Sequence, residues 1–325
     1  MSAWVLFPAE VSPLPHPSTC GRPPTCLGTA SSSTTVEAGK AIRESGLARE
    51  EIYVTTKYSG LDGLDIETSI QNSLANLGIS YVDLYLIHHP RLATPDIPTA
   101  WAKMEALQKK GFAKSIGVSN FGVEDLKILL ASAKIKPVAN QILWHPYVYA
   151  QQAPILEFSK QNGIVIEGYS TLIPITRSPG GPVDKPLSEI AERLDATPDQ
   201  ILLAWAKAKG VVVVTTSSKE SRLKGYQRAG DLKLTAADIS AIDNAGAEGA
   251  KRSTARVFIR RAALATLAVA MALRVLTVKH STLEPVEVAV SAVTRCPSGG
   301  LSEPLRTAAA RTKGFKYPAP AAQVD

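Results

Sequence analysis

Between residues 52 and 215, the chain alternates short apolar runs with segments whose apolar residues recur at helical spacing. The apolar runs are predicted as strands at residues 52–56, 82–87, 115–118, 138–143, 164–168 and 211–215. The segment between the first two runs places one apolar stripe on a helix, formed by Ile66, Ile70, Leu74 and Leu77. Because the strands are apolar on both faces and alternate with helices, the pattern predicts an α/β fold with a buried parallel sheet.

The number of strands decides how such a sheet is completed. A closed (β/α)8 barrel needs eight strands, so six predicted strands leave either an open sheet or a barrel without two strands at its front. Residues 1–35 contain six prolines and a Ser/Thr run at 31–35, and are predicted to be loop or disordered. Residues 253–325 hold Ala-rich and Pro/Gly/Ser-rich stretches without strand–helix alternation.

The positive charge of the chain is confined to its end. The formal net charge is +7, but residues 251–325 hold 12 Lys and Arg against 4 Asp and Glu, so the rest is close to neutral. This distribution argues against a nucleic-acid-binding face. The three cysteines, Cys20, Cys26 and Cys296, lie outside the strand–helix region and lack metal-ligand spacing. We therefore expect no metal site and a reduced, cytoplasmic protein.

One apolar stretch is close to the length of a membrane span. Within residues 258–278, the positions from 262 onward are apolar apart from Arg274, and Arg260-Arg261 precede them. Seventeen positions are the lower limit for a span, and an internal arginine is costly in lipid. A buried or interfacial helix, or disorder, is favoured over a transmembrane helix.

The ends of two predicted strands carry side chains that are suited to acid–base chemistry. Lys57 follows the first predicted strand, and His88 follows the second. The carboxyl ends of parallel strands are where α/β proteins assemble their sites. A lysine and a histidine meeting there predict a site in which one charge tunes a neighbouring proton donor.

Four segments occur in an order that is typical of one enzyme family. They are Val54-Thr55-Thr56-Lys57, Asp83-Leu84-Tyr85-Leu86-Ile87-His88, Ser115-Ile116-Gly117-Val118-Ser119-Asn120-Phe121, and Asn140-Gln141 with His145-Pro146-Tyr147. With their intervals, they resemble the aldo-keto reductases, which are NADPH-dependent (β/α)8 TIM-barrel oxidoreductases that reduce aldehydes and ketones. The resemblance covers about residues 36–250. It implies a barrel of this type that lacks the family's first two strands and its normal C-terminal segment.

The resemblance also implies roles for individual residues. In the family, a hydride goes from the nicotinamide to the carbonyl carbon and a tyrosine hydroxyl protonates the oxygen. A lysine lowers the pKa of that tyrosine, an aspartate pairs with the lysine, and a histidine orients the carbonyl. Lys57 corresponds to this lysine and His88 to this histidine. The polar groups that hold the nicotinamide carboxamide correspond to Ser119, Asn120 and Gln141.

The remaining cofactor contacts follow from the later segments. Tyr169 corresponds to the aromatic platform under the nicotinamide ring, and Ser170 and Leu172 would lie along the pyrophosphate. Ser217 and Arg222 are the candidate contacts to the adenosine 2′-phosphate. A helix N-terminus with hydroxyl groups and an arginine suits a phosphate.

Two departures from the family pattern stand out. Many relatives carry a lysine where this chain has Thr216, which leaves the preference for NADPH over NADH open. The second departure is that residues 1–52 contain no Asp and no Tyr, so the aspartate and the tyrosine of the tetrad are absent. Tyr53 is expected on the same side of the sheet as Lys57 but deeper, and Tyr58 on the opposite side.

Three hypotheses account for this pattern. The first is an NADP(H)-dependent reductase of a small aldehyde or ketone, monomeric, with Lys57 and His88 as its catalytic residues. The second is a catalytically inactive cofactor-binding or regulatory barrel. The third is that the two ends of the sequence, which do not resemble the family, result from a wrong start or a misplaced intron boundary in the gene. The predicted domains are a non-family N-terminal segment at 1–35, the barrel domain at 36–250 and a basic, Ala-rich tail at 251–325.

Overall fold

The computed structural model describes residues 3–7, 25–29, 32–60 and 63–251, with side chains from residue 35 onward. The apolar stretch 258–278 and all but the first residue of the predicted tail lie outside the described residues. Within the described part of the chain, no helix is both long and apolar enough to cross a membrane.

In the described part of the chain, eight strands form one curled sheet. They are β1 (Ala3–Phe7), β2 (Thr25–Thr29), β3 (Ile52–Tyr58), β4 (Val82–Ile87), β5 (Ala113–Ser119), β6 (Ala139–Leu143), β7 (Val165–Tyr169) and β8 (Val212–Ser217). Their order is β1-β8-β7-β6-β5-β4-β3-β2. Neighbours from β2 to β8 pair in parallel, whereas β1 pairs with β8 in antiparallel orientation. The end strands β1 and β2 lie beside each other, so the sheet curls into a barrel.

The six predicted strands are confirmed, and two further strands were missed. Both fall in the segment that was predicted to be loop or disordered, and that prediction is wrong at residues 3–7 and 25–29, and also at 32–35, where a helix begins. Strand β2 pairs with β3 from Thr25 opposite Ile52, and β1 pairs with β8 from Ala3 opposite Ser217. Short runs among prolines carry no periodic signal. Their pairing is determined by the two sheet edges that the rest of the chain leaves open.

Helices cover the outer face of the sheet. They are α1 (Ser32–Glu44), α2 (Ile66–Leu77), α3 (Ile97–Lys109), α4 (Val123–Ser132), α5 (Tyr149–Gln161), α6 (Ile173–Thr176), α7 (Asp184–Arg193), α8 (Pro198–Ala208), α9 (Glu220–Ala229) and α10 at residues 236–251. Helix α2 shows why the pattern folds this way. The Asp65 side chain accepts hydrogen bonds at its N-terminus, Gly78 ends it with φ of 68°, and its predicted apolar stripe is buried.

Strand parity decides which side chains enter the barrel. On β3 and β4, Val54, Tyr85 and Ile87 pack outward against the helices, whereas Tyr53 and Leu86 pack together inside. Alternation then places Lys57, four residues after Tyr53, on the inner side. Tyr58, which packs with the outer cluster, lies on the opposite face.

A buried ionic cluster closes the amino-terminal end of the barrel. The Asp83 carboxylate, 5 % exposed, accepts hydrogen bonds from Arg49 Nη2 at 2.7 Å and from the Val54 amide at 2.8 Å. Lys114 Nζ lies 3.6 Å from the same carboxylate. The guanidinium of Arg49 and the ammonium of Lys114 each lie 4.1 Å from the centre of the Tyr81 ring. The cluster joins β3, β4 and β5 at the end away from Lys57.

Helix α10 packs on the loop that follows β6, and two glycines allow the close approach. A Cβ atom on Gly246 would lie 2.5 Å from the Pro146 carbonyl oxygen. A Cβ atom on Gly249 would lie 2.2 Å from Cε1 of Tyr147. Both distances are shorter than van der Waals contact. A larger residue at either position would therefore push α10 away from the loop after β6.

Candidate active site

The side chains predicted from the strand ends meet at the carboxyl-terminal end of the barrel. The register places Lys57 opposite Leu86 on β4, and Gln141 opposite both Ser119 on β5 and Glu167 on β7. Parallel strands thus bring residues that are far apart in the chain to one rim. This rim is the usual position of active sites in (β/α) barrels.

A hydrogen-bonded relay of three side chains crosses the inside of the barrel. Lys57 Nζ donates to Gln141 Oε1 at 2.5 Å, and Gln141 Nε2 donates to Glu167 Oε2 at 2.6 Å. Lys57 is partly buried, and Glu167 is only 2 % exposed. An ammonium and a carboxylate are therefore joined through one neutral amide. We call these three residues the lysine relay.

The surroundings shift the pKa values of both charged groups. Burial lowers the pKa of Lys57 to about 8, and the negative charge of Glu167 opposes this shift. Burial raises the pKa of Glu167, and the Gln141 amide and the positive charge of Lys57 oppose that shift. Each charge thus stabilises the other against desolvation.

His88 lies next to the relay, directly after β4. Its backbone amide donates to the Tyr58 carbonyl at 3.0 Å, and its carbonyl accepts from Asn120 Nδ2 at 3.0 Å. Burial, and then the positive charge of Lys57, lower the pKa of its imidazole. The lowered pKa favours the neutral ring, which can donate a hydrogen bond to a carbonyl oxygen.

The three residues predicted to hold a nicotinamide carboxamide lie together. Ser119 Oγ donates to the Gln141 carbonyl at 2.7 Å, and Asn120 Nδ2 also donates to Ser119 Oγ at 3.1 Å. Asn120 Oδ1 accepts from the Tyr169 hydroxyl at 2.9 Å. Asn120 has φ of 61°, a left-handed conformation that asparagine tolerates. Tyr169 is thereby tied to the residues that are predicted to hold the carboxamide.

The segment after β7 continues from this group. Gly168 leaves no room for a side chain, since a Cβ atom there would lie 2.8 Å from Cβ of Trp144. Ser170 is exposed with φ of 60°, and Leu172 is buried where α6 begins. The backbone therefore turns directly after Tyr169.

The predicted phosphate contacts lie at the end of β8. Ser217 Oγ accepts a hydrogen bond from the Lys219 amide at 3.1 Å, and α9 begins at the next residue. Arg222 is exposed in the first turn of α9, and Thr216 is exposed beside Ser217. Glu220, in the same turn, pairs with Lys224 at 2.7 Å. An arginine at a helix N-terminus suits a phosphate group.

The residue that sequence reasoning missed is Glu167. It is one carboxylate within an otherwise apolar run, and nothing in its local sequence links it to Lys57. Its partner could be found only from the register of β6 and β7. A charged residue in a strand that is otherwise predicted to be buried was the available signal.

The polar groups at this rim fit a nicotinamide cofactor. A carboxamide needs both donors and acceptors. Gln141 keeps one N–H and one oxygen lone pair beyond the two hydrogen bonds of the relay. The Tyr169 ring lies beside these amides, and the N-terminus of α9 with Arg222 offers a phosphate site. Among the described residues, no group of three or more His, Cys, Asp or Glu could hold a metal ion.

Comparison with known proteins identifies the family. The model of the Aldo/keto reductase family matches residues 30–247. The chain belongs to this family. An NAD/NADP-dependent indole-3-acetaldehyde reductase of Schizosaccharomyces pombe is 37% identical over 221 residues, which are 67% of this chain and 77% of that protein. An NADPH-dependent alpha-keto amide reductase of Saccharomyces cerevisiae is 36% identical over 228 residues, covering 65% and 71%.

Solved structures agree with this assignment. An aldo-keto reductase of Bombyx mori in complex with NADP has a TM-score of 0.62 and 29% identity, covering 68% of this chain and 78% of that one. An aldo/keto reductase of Brucella melitensis has a TM-score of 0.60 and 33% identity, covering 68% and 82%. The predicted family and its (β/α) barrel fold are thus confirmed. The family match begins at residue 30, within the segment first assigned to a separate N-terminal region.

Proposed function

We propose that this chain is an NADP(H)-dependent reductase that converts a small aldehyde or ketone into an alcohol. The observation that carries the proposal is the lysine relay beside His88 at the carboxyl-terminal rim of an aldo/keto reductase barrel. Similarity to relatives named for the reduction of an aldehyde and of alpha-keto amides supports the substrate class. The monomeric state and the cytoplasmic location stay predictions.

The first task of the residues is to bind the cofactor, which when bound supplies a hydride. Ser119, Asn120 and Gln141 would hold its carboxamide, with the Tyr169 ring against the nicotinamide. Because the Tyr169 hydroxyl is bonded to Asn120, the ring and the amide would be oriented together. Two further pairs complete the binding surface: Ser170 and Leu172 along the pyrophosphate, and Ser217 and Arg222 at the 2′-phosphate.

The second task is to orient the substrate and supply a proton to its oxygen. The neutral imidazole of His88 can donate a hydrogen bond that orients the carbonyl. The family's tyrosine is absent, and Tyr53 is 7 % exposed within the cluster deeper in the barrel. Lys57, with a pKa of about 8, is mostly an ammonium at pH 7 and still acidic enough to release a proton. We assign the proton donor to Lys57.

A second function is favoured by the missing aspartate and tyrosine. A barrel that binds NADP(H) without turnover would use the same carboxamide and phosphate contacts, and it would need no proton donor. A tuned general acid contributes about 10²–10⁴-fold to a rate, so its loss separates the two functions.

The test measures NADPH binding and NADPH oxidation with a panel of small aldehydes and ketones. We expect binding with slow turnover, and a loss of turnover by about 100-fold or more in Lys57→Met. The matched control is Lys127→Met, because Lys127 is an exposed lysine on α4. Binding without oxidation of NADPH by any substrate would contradict the reductase and support the binding protein. Neither binding nor turnover would contradict both.

A further inference from the structure

Glu167 is a buried acidic residue to which the proposed function assigns no role. Its carboxylate accepts a 2.6 Å hydrogen bond from Gln141 Nε2 and is only 2 % exposed. A buried carboxylate destabilises a fold unless it is paired and hydrogen-bonded. Its position on the inner face of β7, opposite Gln141, directs that charge toward the site and away from the helices.

The charge of Glu167 also determines how the Gln141 amide is turned. A carboxylate only accepts hydrogen bonds and an ammonium only donates them. Gln141 must therefore present its N–H to Glu167 and its oxygen to Lys57, and the opposite orientation would lose both hydrogen bonds. The second N–H of Gln141 is left to face the carboxamide of a cofactor. One carboxylate thus orients two residues of the candidate site.

We propose that Glu167 is a positioning residue for the reduction: through Gln141 it holds the Lys57 side chain and keeps its amine protonated. It would take the place of the aspartate that pairs with this lysine in the family and that the present sequence lacks. The catalytic part of this inference rests on the proposed function. The effect of Glu167 on the charge of Lys57 does not.

The charged groups around Lys57 determine whether Glu167 raises or lowers the pKa of the Lys57 amine. Among the described residues, the titratable groups on the same side as Lys57 are Glu167 on β7, His88 after β4 and Tyr53 on β3, with Tyr169 two residues after Glu167 on the same face of β7. The lowered pKa of His88 and the raised pKa of Tyr169 both favour their neutral forms, and Glu167 is the group whose charge favours the Lys57 ammonium. If the carboxylate is removed, no charge on Glu167 offsets the lowering of the Lys57 pKa by burial. The Lys57 amine then loses its proton at a lower pH.

The experiment measures the ionisation of Lys57 in the protein without cofactor. Wild type, Glu167→Gln and Glu167→Met are labelled with acetic anhydride over a range of pH, and the peptide containing Lys57 is quantified by mass spectrometry. A shift of one pKa unit would raise the neutral fraction at pH 7 from about a tenth to about a half, an increase of about fivefold in labelling. Glu105→Gln is the matched control. Glu105 on α3 is also a buried acidic residue, 8 % exposed, but it accepts from the Lys134 and Ile135 amides in the segment after α4.

Each result has a defined meaning. Increased labelling at pH 7 in both Glu167 variants, with an unchanged profile in Glu105→Gln, supports the proposal. A Lys57 profile that stays at the wild-type pH in the Glu167 variants overturns it. Glu167→Met places no polar group at this buried position, so it provides the answer if Glu167→Gln does not fold.

Turnover is a separate readout. Where wild type reduces a substrate, kcat/KM in the Glu167 variants should begin to fall at a lower pH than in wild type. The carboxylate-retaining Glu167→Asp should restore most of the wild-type profile. If wild type shows no turnover, the reductase proposal fails, whereas the labelling data still decide the role of Glu167.

Discussion

The buried amine of Lys57 should make the stability of the protein depend on pH in a way that a single substitution removes. Its pKa is about 8 in the folded protein and 10.5 as an ordinary lysine. Between these values the unfolded chain binds more protons than the folded one, so the free energy of unfolding rises with pH. At 1.36 kcal/mol per pKa unit, the shift corresponds to about 3 kcal/mol. This contribution is absent below pH 8 and fully present above pH 10.5.

The assay is urea unfolding of wild type and Lys57→Met at intervals from pH 7 to pH 10.5. Taking the difference between the two proteins cancels the titration of all groups that the substitution does not touch. The difference should change by about 3 kcal/mol in favour of wild type across this range. In Lys57→Met, Glu167 loses its positive partner, so its pKa rises further. This rise also increases the stability of wild type relative to Lys57→Met as the pH rises.

The control is Lys127→Met, which removes an exposed lysine and should keep a constant difference from wild type across the pH range. A constant difference for Lys57→Met as well would refute the reasoning. It would mean that Lys57 titrates in the folded protein as it does in the unfolded chain. The burial of its amine inside the barrel would then be wrong.

Three further predictions concern the scaffold and the cofactor. Asp83→Asn should lower the free energy of unfolding by about 3 kcal/mol, because the partly buried Arg49 guanidinium loses its counter-ion. Lys114→Met, at an exposed partner, should cost about 1 kcal/mol or less; urea unfolding checks both. Gly249→Ala should destabilise by about 1–3 kcal/mol through overpacking, whereas Gly225→Ala, whose Cβ atom would lie 3.4 Å from its neighbour, should not. Arg222→Ala should weaken binding of NADPH by about tenfold and leave binding of NADH nearly unchanged, measured by fluorescence titration of both cofactors.

The strands that the sequence predicted are those buried on both faces. Residues 82–87 form an uninterrupted run apart from Asp83, and all six are buried. Such a run has few alternatives in a folded protein. Residues 3–7 and 25–29 were missed because a five-residue strand depends on the edge with which it pairs. That edge exists only once the other strands have formed the sheet.

The positions of those site residues that directly follow a strand could be predicted from the alternation of side chains along that strand. Lys57 and His88 follow apolar strands directly, so their place at the rim followed from alternation alone. The relay was not predictable, because it depends on the register that places Gln141 opposite Glu167. Register is determined by the packing of whole strands, and a local pattern does not report it.

The lysine relay bears on the choice between the two proposed functions. In a barrel that only binds a cofactor, the relay would orient the Gln141 amide toward the carboxamide, but the proton of the Lys57 ammonium would have no use. Replacing such a pair by apolar residues is often neutral or stabilising, so the pair is not explained by stability alone. A reductase without the family's tyrosine needs a group that can give up a proton near pH 7. Lys57 has a pKa of about 8 and lies beside the imidazole that would orient the carbonyl. The relay is therefore better explained by a role in proton transfer than by cofactor binding alone.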